Sequence, residues 1–214
     1  MPVCEIDEIE DADVYIVAVK DSVLSDVAQK LCKGREERIF LHTAGSMPMT
    51  VFEGHANHYG VLYPMQTFSK ERPLDFLRIP CFIEGNDEVS LRVARLLASS
   101  VSAQVYELSG ASRRHLHLAA VFACNFVNHC YEQAAEILER QHLPFSVMLP
   151  LVEETAQKVR QLSPADAQTG PAVRYDQNVM EAQLSLLHDN PTAQAIYRLM
   201  SQSIHETAMK RSHD

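Results

Sequence analysis

Five side chains able to bind a ligand or move a proton recur along one segment of the chain: Arg114, His117, Asn125, Asn128 and Glu132. At 100° per residue of α-helix they share an arc of about 80°, while Ala119, Phe122, Ala123, Phe126 and Ile137 fall on the other side. Histidine is the usual side chain for general acid–base work near neutral pH, which makes His117 a candidate, and Asn125 and Asn128 carry paired donors and acceptors that orient a carbonyl or an amide. These three form the candidate catalytic set. The plain alternative is a solvated helix face, although such faces are mostly built from Glu, Lys and Gln, which favour helices more than Asn or His.

A second group, His42-Thr43-Ala44-Gly45-Ser46, follows an apolar run that reads as a strand. In open α/β sheets ligands bind beyond the carboxyl ends of strands, which is where this segment falls. Gly45 permits close approach and Thr43 and Ser46 offer hydroxyls; the other reading is a glycine turn with Ser46 capping a helix. The segment 63–70 (YPMQTFSK) follows another strand and admits the same two readings. In 168–176 (QTGPAVRYD), Gln168, Thr169 and Arg174 could hold a substrate, Arg174 through a carboxylate or phosphate, or Arg174 could pair with Asp176 inside the loop. His55 and His58 lack further ligands at zinc spacing, so no metal is expected.

The scaffold for these residues follows from periodicity. The run 14–19 (VYIVAV) is β-branched and apolar throughout, the pattern of a strand covered on both faces in a parallel sheet. Asp21 and Ser22 can cap a helix bearing Val23, Leu24, Val27 and Leu31, which Gly34 stops. Strands are predicted over 38–42, 58–63, 79–84 and 103–108 and a helix over 89–98, an order that implies a doubly wound sheet. From Ala111 to Leu143 there is no Gly or Pro, so one long helix is predicted, ended by Pro144. Helices follow over 151–162, 177–188 and 192–210, the last capped by Asn190, with 168–176 as a loop. The fold class is α/β followed by all-α, with domains 1–109 and 110–214.

Composition narrows the partners. With 214 residues, 46% of them hydrophobic and 22% charged, the chain has a core to bury and is not disordered. The net charge of −9 divides into 17 acids against 10 bases up to Leu108 and 11 against 9 after it. Neither part has a basic face, so no nucleic acid is expected. The apolar stretch 116–127 is far shorter than the ~20 residues that span a bilayer, so no membrane is expected. Five scattered cysteines without a C-x-x-C pair read as reduced thiols. An amino terminus carrying Glu5, Asp7, Glu8 and Glu10 is the opposite of a signal peptide, so the location is expected to be cytoplasmic. No two of the seven glycines are separated by a single residue, so neither G-x-G-x-x-G nor a P-loop can be drawn.

Taken in order, HTAGS, YPMQTFSK, HLHLAAVFACNFVNH, PLVEETAQKV and QTGPAVRYD resemble the bacterial family that joins a Rossmann-like domain to domain of unknown function 2520. That family is similar in plan to the 6-phosphogluconate dehydrogenase superfamily and to pyrroline-carboxylate and ketopantoate reductases. The resemblance implies a truncated Rossmann-like parallel sheet, a helical domain, and a cleft between them for an unknown small-molecule substrate. It implies an NAD(P)-dependent oxidoreductase homologue in which Val19, His42, Thr43, Ala44, Gly45 and Ser46 approach NADP or NAD. His117, Asn125 and Asn128 would be catalytic, Gln168, Thr169 and Arg174 would bind substrate, and the helical domain would form a homodimer.

Two departures from the family carry expectations of their own. The usual amino-terminal segment with its glycine-rich turn is missing, so impaired cofactor binding is expected. The related dehydrogenases place a lysine one turn before an asparagine; Val121 stands one turn before Asn125, and His117 lies a further turn back, where it can serve as the acid. The alternative function is a non-catalytic binding or dimerisation module that keeps the fold.

Overall fold

Adjacent strand residues project to opposite faces, and Phe40 and Leu41, neighbours in one strand, are both fully buried. The sheet is therefore covered on both sides. The structure is a computed structural model that describes residues 6–212; Cys4 and Glu5 lie outside the described residues. Five strands follow one another across the sheet in chain order: β1 (Val14–Val17), β2 (Ile39–His42), β3 (His58–Pro64), β4 (Cys81–Gly85) and β5 (Val105–Glu107).

Strands β1, β2 and β3 are parallel, β4 runs antiparallel to β3, and β5 is parallel to β4. Helix α1 (Asp21–Cys32) links β1 to β2, and α2 (Glu88–Val101) links β4 to β5. Two right-handed crossovers made by strands of opposite direction put their helices on opposite faces. Accordingly Leu24, Ala28 and Leu31 of α1 pack with Tyr15, Val17 and Phe40. Ala94 and Ala98 of α2 pack with Leu41, Leu62, Cys81 and Ile83 on the other side.

Three expectations change here. The sheet is not wholly parallel, because the link from β3 to β4 carries only a short 3-10 turn, Phe76–Arg78, and no crossover helix, so the chain returns antiparallel. The run 14–19 is not a strand covered on both faces. It shortens to β1 at the sheet edge, where α1 covers Tyr15 and Val17 but leaves Ile16 50% exposed. Asp21 and Ser22 do not cap α1, whose N-cap is Lys20 with no side-chain bond, whereas Gly34 does follow the helix at φ +76°.

The predicted long helix is a succession: α3 (Gly110–Ala120), a π-helical turn (Val121–Phe126) and α4 (Val127–Glu139). Ser109 caps its start by accepting from the Ser112 N–H. His142, at φ +57°, turns the chain just before Pro144.

By compactness the chain divides at Val127/Asn128, later than the change of sequence pattern at 109/110. The first unit keeps α3 because Arg113 of that helix is buried against the sheet. The second unit contains α5 (Leu149–Lys158), α6 (Pro164–Ala167), α7 (Pro171–Arg174), α8 (Gln177–Ser185) and α9 (Pro191–Arg211), besides most of α4. Asn190 caps α9 by accepting from the Ala193 N–H at 3.0 Å, as the sequence predicts. Cys32, Cys81, Cys124 and Cys130 are free. Among the described residues no helix is long and apolar enough to cross a membrane.

Candidate functional site

Strand register sets the floor of the site. Val61 pairs with Glu84 and Tyr63 with Phe82, so Tyr63 and Glu84 project from the same face. Helix α3 comes to this face through Arg113, which is 1% exposed. Its Nη1 donates to the Glu84 carboxylate and its Nη2 to the Met47 carbonyl at 2.7 Å, while the Gly110 N–H donates to the other Glu84 oxygen at 2.7 Å. One buried ion pair thus fixes both the start of α3 and the loop that follows β2. The sequence stripe drew attention to Arg114, which is exposed; Arg113 was missed. Its position one turn before His117 is the signal that could have found it.

The loop after β2 is held from within. His42 is fully buried, its Nδ1 accepting from the Ala44 N–H at 3.2 Å and its Nε2 donating to the Pro48 carbonyl at 3.3 Å. Burial, reinforced by the nearby Arg113 charge, pushes the pKa of His42 down to about 4, so the ring is neutral and shapes the loop rather than presenting itself. Ala44 is buried in the core beside α1. The Thr43 N–H donates to the Val17 carbonyl at 3.2 Å. Ser46 caps no helix; its hydroxyl donates to the Asp21 carboxylate, tying the loop to the start of α1 just beyond the half-exposed Val19.

Gly45 brings its backbone against His117 and Tyr63. A Cβ there would stand 2.6 Å from His117 Nδ1 and 2.7 Å from Tyr63 Cζ. His117 Nδ1 and the Tyr63 hydroxyl are 3.1 Å apart, with the rings edge to face. Burial raises the pKa of Tyr63, so the phenol keeps its proton. Tyr63, near the end of β3, is a candidate residue that the sequence reading names only as part of a segment.

Beside this pair lies a pocket of about 500 Å³, lined by Met65, Gln66 and Thr67 from the YPMQTFSK segment and by Leu116, His117, Ala120 and Asn125, among others, from α3 and the π turn. The structure therefore brings together the HTAGS loop, the YPMQTFSK segment, His117 and Asn125. The π turn interrupts the α periodicity on which the polar arc was drawn, and Asn125 is exposed at the pocket.

Asn128, Gln168, Thr169 and Arg174 belong to the second unit. There, 168–176 is not a plain loop, since α7 forms between Gly170 (φ +109°) and Tyr175 (φ +53°). Arg174 is exposed, and Asp176 accepts from the Val179 N–H at 3.3 Å rather than pairing with it. Gln168 donates to the Thr169 carbonyl at 3.0 Å.

Helix N-termini are the natural seats for a dinucleotide's diphosphate. In the first unit the starts of α2 and α3 are already taken by a carboxylate of the protein, and α1 has one in its first turn. Asp21 opens α1, Asp87 caps α2 by accepting from the Ser90 N–H at 2.8 Å, and Glu84 takes the Gly110 N–H at the start of α3. Although burial pushes the other way, the Ser90 N–H and His58, 2.5 Å from it, hold the Asp87 carboxyl below its ordinary range. The turn from β1 into α1 also carries Cβ atoms at Ala18 and Val19 where a glycine would give room. A diphosphate would have to displace a carboxylate at α2 and α3 and would meet Asp21 in the first turn of α1.

Comparison with known proteins adds the lineage. Residues 79–204 match the profile described as domain of unknown function (DUF2520). A solved Bacteroides fragilis protein with the provisional name NADP oxidoreductase is 51% identical, with a TM-score of 0.91 over 95% of this chain and 80% of its own. A solved Thermotoga maritima protein is 21% identical, with a TM-score of 0.80 over 94% of this chain and 81% of its own. The imine reductase of Myxococcus stipitatus, solved in complex with NADP+, is 16% identical, with a TM-score of 0.55 over 94% and 78%. No curated protein matches the chain. The fold is thus the Rossmann-like, oxidoreductase type with a helical second part.

Proposed function

The chain belongs to the family that carries domain of unknown function 2520, and on that premise we propose that it is an NAD(P)-dependent oxidoreductase homologue whose first unit supplies the proton-donating side of the reaction. The observation that carries this reading is the convergence of Gly45, Tyr63 and His117, the last two of which line one pocket. With the Tyr63 hydroxyl directed at Nδ1, the neutral imidazole carries its proton on Nε2. As Nε2 gives its proton to a substrate oxygen or nitrogen, Nδ1 takes the proton of the Tyr63 hydroxyl, so the imidazole stays neutral and Tyr63 is the ultimate donor, while Asn125 orients the substrate.

Residues 43–46 are the approach for the nicotinamide end of the cofactor, while its diphosphate would meet a carboxylate at the start of α2, at the start of α3 and in the first turn of α1. Cofactor binding by this 214-residue chain is therefore weak. Titration of NADPH into isotope-labelled protein tests this: amide resonances of Thr43, Gly45 and Ser46 should shift and saturate only near the millimolar range, about 4 kcal/mol of binding. Unmoved resonances at all three positions up to about 10 mM, a concentration well past that range, would overturn it.

A further inference from the structure

We propose that the pocket beside His117 takes an uncharged carbonyl compound with an apolar body, and rejects substrates bearing a carboxylate or phosphate. This rests on the reading of His117 as proton donor and adds the substrate class. None of the residues lining the pocket is Asp, Glu, Lys or Arg. Tyr63 keeps its proton because burial raises its pKa. The nearby buried cation, Arg113, has its charge paired with Glu84 and donates to the Met47 carbonyl, only its Nε being without a partner.

An anion placed here would meet no Lys or Arg side chain to offset the hydration it gives up. A protonated imine would meet no carboxylate and fares no better. A neutral carbonyl loses little. Its oxygen can accept from His117 Nε2 or from the Asn125 amide, and its carbon skeleton lies against Leu116, Ala119, Ala120, Ala123 and Met65.

The experiment uses the full chain and two probes of one shape, 4-methylcyclohexanone and 4-oxocyclohexanecarboxylate, followed by NMR at the His117 imidazole, assigned with His117→Gln. The ketone should shift this resonance with an affinity at least tenfold tighter than the keto acid. Ala119→Lys, on an exposed helical position at the pocket, puts a cation in the lining and should tighten the keto acid at least tenfold relative to the ketone.

Equal or tighter binding of the keto acid to the unaltered chain overturns the substrate class. So does a His117 resonance that neither probe moves. Neither result touches the oxidoreductase reading, which the NADPH titration at residues 43–46 decides by itself.

Discussion

Gly45 and His42 divide the work of one short loop, and each makes a claim that a single measurement can check. A methyl at Gly45 has no room, since it would fall within 2.7 Å of both His117 and Tyr63. Gly45→Ala should therefore destabilise the fold by about 1–3 kcal/mol and displace the imidazole, read as a lower urea midpoint and a changed His117 resonance. His42 carries a pH dependence. In the unfolded chain it takes up a proton below its ordinary value of 6.5, but in the folded protein only near 4. Between those values the unfolded state binds the extra proton, so this contribution is complete above pH 6.5 and is lost as pH falls toward 4. Its size is about 3 kcal/mol. Urea melts near neutrality and near pH 4.5 should show that loss, and an NMR titration should show the His42 ring neutral down to about pH 5; a ring titrating near 6.5 would sink the claim. HTAGS was legible in the sequence because a glycine after an apolar strand marks a close approach. That its histidine is buried and inward-looking was not, since the strand pattern gives a residue's face but not what covers it.

The ion pair Arg113–Glu84 joins three elements, β4, α3 and the loop after β2, and its two halves should not be equivalent. Glu84→Gln leaves a guanidinium that is 1% exposed without its counter-charge, whereas Arg113→Met leaves a carboxylate that is partly exposed and still receives the Gly110 N–H. Breaking the pair from the glutamate side should cost about 3 kcal/mol or more, and from the arginine side clearly less. Denaturant melts of both single variants decide it: equal losses would mean that the pair is a surface contact in energetic terms. None of this was readable from spacing, because 29 residues separate the partners and only the reversal of β4 turns Glu84 toward α3. That reversal was itself hidden, since a strand looks the same in either direction and the missing crossover helix between β3 and β4 was the sole clue. Helices were easier. Asn190 before a proline announces α9, and the absence of Gly and Pro announces the run from α3 to α4. The π turn inside that run has no such marker, and it is what makes the arc of His117, Asn125 and Asn128 a poorer guide than it looked on a straight helix.

The two units differ in how well they bury themselves. The first closes two apolar layers around its sheet, with Leu24, Phe40, Leu41, Phe52, Val61 and Ile83 fully covered. In the second, Leu138, Ala172, Leu184 and Ala193 are the buried apolar residues, while Leu186 stays 75% and Leu199 68% exposed. The face of α3 and the π turn adds Phe122, 62% exposed, in edge-to-face contact with Phe126. Apolar side chains exposed in this number are what a surface used for association would carry, since burying each is worth about 1.5–3 kcal/mol. The prediction is a homodimer, so light scattering at about 10 µM, well above a typical stable-dimer dissociation constant, should give twice the 24.1 kDa chain mass. Leu199→Glu should dissociate a dimer built on α9 and Phe122→Glu one built on the long helical run, each without lowering the urea midpoint of the monomer, because both side chains already lie in solvent. A strict monomer for the unaltered chain would remove the dimer and leave the exposed leucines as surface of another interaction.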